Sequence, residues 1–124
     1  MIYELRLTVP KNTTKAAPTE DTLTAHPGVV KKVSILFPRG CVQLVHVQVL
    51  ERTAHIWPPY DDQDITGENG PVEWEEERDV KDPPYDFLVR AWNDDDTFPH
   101  TVTVRVSILP DDTVASGGVL ASFL

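Results

Sequence analysis

His100-Thr101-Val102-Thr103-Val104-Arg105-Val106-Ser107-Ile108 alternates apolar and polar side chains without a break. A strand sends successive side chains to opposite faces, so Val102, Val104, Val106 and Ile108 share one face and Thr101, Thr103, Arg105 and Ser107 the other. A helix would scatter the same aliphatics around its axis. The stretch is therefore a strand with one buried face, and its period recurs towards the N-terminus. Tyr3, Leu5, Leu7 and Val9 oppose Glu4, Arg6 and Thr8. Val29, Val33, Ile35 and Phe37 oppose Lys32 and Ser34. Val72 and Trp74 oppose Glu73, Glu75 and Glu77, and Tyr85, Phe87, Val89 and Ala91 form a further inward face. After the turn Pro38-Arg39-Gly40, Cys41 to Leu50 is apolar on both faces, as a central strand covered on both sides would be. Thr53 to Trp57 offers a short continuation, ended by Pro58-Pro59.

The 11 prolines fall almost entirely between these runs, where they stop strands and protect edges. No segment before residue 110 carries a helical stripe; Pro18-Thr19-Glu20-Asp21 starts at most one turn. The pattern predicts an all-β chain: a single antiparallel β-sandwich, jelly-roll-like, of about seven or eight strands. Pro10 to Pro27, polar and rich in Thr and Pro, is a long connection or an edge segment. Residues 1–110 form the sandwich domain, and residues 111–124 form a C-terminal tail. That tail carries Val119, Leu120, Phe123 and Leu124 behind a Ser116-Gly117-Gly118 joint. Four apolar side chains at a terminus are the expected interface of an interaction arm.

Composition narrows the function classes. With 20 acidic against 11 basic residues in 124, the formal net charge is −9. Phosphate backbones and anionic membrane surfaces both require a basic stripe, so neither nucleic acid nor membrane is an expected partner. The length leaves no room for a cofactor half plus a substrate half. One cysteine, Cys41, excludes an intramolecular disulfide framework. Met1 to Arg6 lacks a basic region followed by an apolar run, so no signal peptide is expected.

Candidate sites are few. Cys41 and His46 are the only thiol and imidazole close in sequence, but an odd separation within one strand puts them on opposite faces, so no nucleophile pair forms. His26, His55 and His100 show no metal-ligand spacing. The sharpest pattern is Asp62-Gln63-Asp64-Ile65-Thr66-Gly67, closed by Glu73 at the twelfth position. Oxygen ligands at Asp62, Asp64, Thr66 and Glu73 match the spacing of a Ca²⁺ loop. Pro58-Pro59 before it and Pro71 within it break the usual flanking helices, and the plain alternative is a solvated acidic turn ending in Asn69-Gly70. Asp94-Asp95-Asp96 looks like a solvated loop tip. Trp57, Tyr60, Trp74 and Trp92 lie near loop ends, where they would stack on a sugar, pack the core or anchor an interface. No phosphate loop, nucleophile elbow or dinucleotide fingerprint occurs, so no enzyme and no cofactor is expected.

Gly28-Val29-Val30, Val33 to Cys41, Pro83-Pro84-Tyr85, Ala91-Trp92-Asn93-Asp94 and His100-Thr101-Val102 together resemble the small β-sandwich virion proteins of tailed phages, of the decoration, cement or tail-accessory type. The resemblance spans roughly residues 22 to 110 as a pattern of strands and turns, and carries no catalytic motif. It implies a non-enzymatic structural protein, made in the host cytoplasm and located in the virion. Its partners would be copies of itself, in a homo-oligomer, and other virion proteins. A carbohydrate- or calcium-binding β-sandwich module is the alternative.

Overall fold

The computed structural model describes residues 1–110; the arm residues Val119, Leu120, Phe123 and Leu124 lie outside the described residues. The strands are β1 (Ile2–Val9), β2 (Thr19–Thr24), β3 (Gly28–Phe37), β4 (Val45–Glu51), β5 (Ala54–Trp57), β6 (Gly70–Val80), β7 (Asp86–Asn93) and β8 (His100–Pro110). They form two four-stranded sheets, β1-β8-β3-β6 and β2-β7-β4-β5. β1 pairs with β8, β2 with β7, β3 with β6 and β4 with β5, always antiparallel. The first half of the chain thus pairs with the second in reverse order, as if one long hairpin had been rolled across two sheets. That is the jelly roll expected from the sequence.

Alternation fills the space between the sheets. Val102, Val104 and Val106 are fully buried, and the register sets Val104 between Leu5 on one side and Ile35 on the other. Opposed aliphatics on neighbouring strands are the unit of sheet stabilisation, and β8, one of the two inner strands of its sheet, has them on both sides. At the start of β3, a Cβ on Gly28 would lie 2.3 Å from the Leu109 carbonyl oxygen. Only glycine lets β3 and β8 close there.

β4 is covered on both faces, as its composition predicts. Val45, Val47 and Val49 enter the core, while Gln48 is buried on the outer face. The connection from β5 to β6 covers it: Gln48 Nε2 donates to the carbonyls of Asp61 at 2.9 Å and Gln63 at 2.8 Å.

Two placements differ from the sequence reading. A bulge between Val30 and Lys32 turns Val30, not Val29, into the core beside Val33, Ile35 and Phe37. Cys41 does not belong to β4, which starts at Val45. Cys41 sits buried at the start of a turn in which Val42 and Gln43 take left-handed φ angles of 46° and 60°. The Glu68 carboxylate holds that turn, accepting from the backbone N–H of Gly40 at 3.1 Å and of Val42 at 2.8 Å. The strand-parity relation between Cys41 and His46 therefore does not apply. Pro10 to Pro27 resolves as an edge segment, because β2 lies within it and pairs along β7 with Leu23 opposite Phe87.

Candidate functional site

β5 is an outer strand of one sheet and β6 an outer strand of the other. Pro58-Pro59 ends β5 after four residues, since proline cannot donate to a ladder. β6 continues for 11 residues, so much of it faces no strand across the sandwich. Between them lies a groove of about 430 Å³, open to solvent and floored by Ile56, Trp57, Pro58, Ile65, Val72 and Trp74, with Glu76 and Arg78 at one end.

The aromatic floor is locked from below. Trp57 is 5% exposed and stacks on Phe87 with ring centroids 5.3 Å apart. Its edge contact with Trp74, at 6.1 Å and 73°, joins the two sheets across the flank. The polar groups at the groove are largely spoken for: Trp74 Nε1 donates to Glu76 Oε1 at 2.8 Å, and Arg78 Nη2 to Glu51 Oε1 at 2.6 Å. Arg78 Nε is buried without a partner. What the groove presents is therefore mainly apolar surface rimmed by charge, the arrangement that receives aliphatic or aromatic side chains.

A second cluster lies on the outer face of the β2-β7-β4-β5 sheet. His46 on β4 stacks on its cross-strand neighbour Trp92, ring centroids 5.2 Å apart and nearly parallel at 9°. Its Nδ1 meets Asp64 Oδ1 at 2.8 Å and its Nε2 meets Asp94 Oδ2 at 2.7 Å. Burial opposes the charged ring, but the hydrogen bonds to Asp64 and Asp94 outweigh it and hold the imidazole's pKa above the usual 6.5. A ring with a carboxylate on each nitrogen is best satisfied as the imidazolium, which donates twice. The cluster ties the β5–β6 connection to the β7–β8 connection and leaves no nitrogen free for a metal.

The four residues of the acidic loop do not converge. Asp64 is drawn to His46, whereas Glu73 turns to Lys32 at 3.3 Å on the outer face of the other sheet. Asp62 is exposed and Thr66 half-buried. Among the described residues, no group of three or more His, Cys, Asp or Glu is placed to hold a metal ion.

Asp95 is not the solvated loop residue expected. Its side chain is 12% exposed and bonds His100 Nε2 at 2.8 Å. That bond, with the N–H of Thr97, pulls its carboxyl below the usual range. The Cys41 thiol is pushed up to about 11, mainly by burial, with Glu68 and Asp95 adding to it, which makes it a packing residue and not a nucleophile. Of the four aromatics singled out in the sequence, Trp57 and Trp74 meet in the groove, Trp92 backs His46, and Tyr60 stands exposed. The His46 cluster had no sequence signal, because its partners lie 18 and 48 residues away. No family model, curated protein or solved structure matches this chain.

Proposed function

We propose that this is a non-enzymatic structural protein that acts by association, with copies of itself and with other proteins of a virus particle, as a capsid decoration or cement protein or a tail accessory. The observation that carries the reading is the open flank: an apolar, aromatic-floored groove between two edge strands. Contiguous apolar patches of this kind mark interaction sites, and a tryptophan seated in a packed pocket is the usual anchor of an interface. The jelly roll is also a fold that viral capsid proteins use. In a particle, many weak copies would supply the avidity that one small groove lacks. Sedimentation velocity over a dilution series tests it. The full chain should associate with rising concentration, and Trp74→Glu should remain folded but monomeric. A full chain that stays monomeric throughout, or a variant that associates unchanged, would count against the reading.

One observation favours a second reading. Trp74 is half-buried beside the Glu76 carboxylate and the Arg78 guanidinium, a ring with hydrogen-bonding groups at its edge, and jelly rolls also serve as lectin domains. Calorimetric titration with neutral oligosaccharides that gave saturable heat, abolished in Trp74→Ala, would move the site to carbohydrate binding.

A further inference from the structure

We propose that the groove between β5 and β6 receives residues 119–124 of a second copy of this chain, added as a strand along the free edge of β6. The inference deepens the association reading and rests on it. β6 pairs with β3 on one side, and no other described strand pairs with it, so its outer N–H and C=O groups are available to an incoming strand. Strand addition of this type takes affinity from the main chain and specificity from side chains seated in pockets.

The occupant follows from the chain itself. Residues 119–124 read Val-Leu-Ala-Ser-Phe-Leu, the most apolar run beyond Pro110, and alternate residues of a strand share a face. Val119, Ala121 and Phe123 would then lie over Ile56, Val72 and Trp74, with Leu120, Ser122 and Leu124 on the opposite face. Face-to-face contact between copies is the poorer alternative. The net charge of −9 sets bodies against one another. The outer face of the β1-β8-β3-β6 sheet is also occupied by ion pairs such as Glu4–Arg105 and Lys32–Glu73. An arm separates the bodies: residues 111–118 reach up to ~26 Å when extended.

A neighbour's segment also arrives more easily than the chain's own. β8 and β6 are both antiparallel to β3, so they run in the same direction and end together, with Pro110 and Val80 both opposite Gly28. The chain's own residues would have to reverse at Pro110 and pass around the end of β3 to enter the groove.

The test uses the full chain carrying Ser122→Cys with a nitroxide label. Cys41 is fully buried and does not compete for the reagent. Unlabelled-nitrogen protein bearing the nitroxide is mixed with ¹⁵N protein lacking it. The amides of residues 72–78 and the Trp74 indole of the ¹⁵N copy should broaden, and Trp74→Glu in that copy should abolish the effect. Broadening seen only when nitroxide and ¹⁵N share one chain would show an intramolecular seat and overturn the proposal. So would no broadening at concentrations where sedimentation shows oligomers, an outcome that would leave the association reading standing. A chain monomeric in sedimentation would remove both.

Discussion

Where β1 and β2 come together, the sandwich is sealed. Leu7, Val9, Leu23 and Ala25 are buried there, Tyr3 Oη bonds His26 Nδ1 at 2.9 Å with the two rings stacked, and the strands are of similar length, 8 and 6 residues. At the adjoining end, the fully buried Asn93 donates from Nδ2 to the carbonyls of Val9 at 3.2 Å and Phe98 at 3.0 Å, and accepts from Asp95 N–H. Across the molecule, the 4 residues of β5 face the 11 of β6, and aromatic rings fill the mismatch without closing it. One topology thus yields one flank that finishes its own core and another that stops short. The difference comes from where proline ends a strand. Pro10 follows a full-length β1, while Pro58-Pro59 cuts β5 before it can cover Val72 and Trp74.

The largest effect should come from placing the same charge on each flank. Val9→Asp buries an unpaired carboxylate in the sealed flank and should abolish cooperative thermal unfolding by circular dichroism, whereas Val72→Asp, at the open groove, should keep a sigmoidal transition. If both variants lose the transition, the flanks are not distinct. Next in size, Asn93→Ala should cost about 1–3 kcal/mol in urea unfolding, because the buried Val9 carbonyl and the part-buried Phe98 carbonyl lose their donor. An unchanged midpoint would show that the sealed end does not depend on Asn93.

A smaller effect concerns the link between the two regions, since His46 joins Asp64, from the connection bordering the groove, to Asp94, from the sealed end. Its folded pKa lies above the unfolded 6.5. Its contribution is therefore complete below about pH 6.5 and disappears as pH rises through the folded value. The melting temperature of the wild type, measured against that of Asp64→Asn/Asp94→Asn, should show a difference at acid pH that shrinks towards alkaline pH. A difference that grows with pH would mean the ring is neutral in the fold. Smallest of all, the Glu68 carboxyl is lowered by the N–H groups of Val42 and Gly40. Glu68→Gln should thus lose stability relative to wild type near neutrality and converge with it as pH falls through the folded Glu68 pKa, below 4.5.

Sequence alternation carried most of the fold. β8 and β1 each keep an apolar inward face, so period and burial coincide there, whereas the bulge in β3 breaks the period between Val30 and Lys32. β2 has a weak signal because, as an edge strand, it needs only one inward anchor, and Thr-Glu-Asp-Thr-Leu-Thr supplies only Leu23. Cys41 looks continuous with β4 in sequence because hydrophobicity runs on through the turn, and the turn is fixed by a carboxylate 27 residues away. The groove was half legible. Trp57 and Trp74 stand out as aromatics at loop ends, but that they face each other follows only from β5 and β6 being outer strands of different sheets. The His46 cluster depends on register and on two connections crossing one face, neither of which leaves a local pattern.

The contrast between a sealed and an open flank is tested most directly by hydrogen–deuterium exchange of the full chain, dilute and concentrated. Association through the groove predicts that amides of residues 70–80 gain protection on concentration while those of residues 2–9 stay the same. Protection gained along residues 2–9, with none along residues 70–80, would contradict the account.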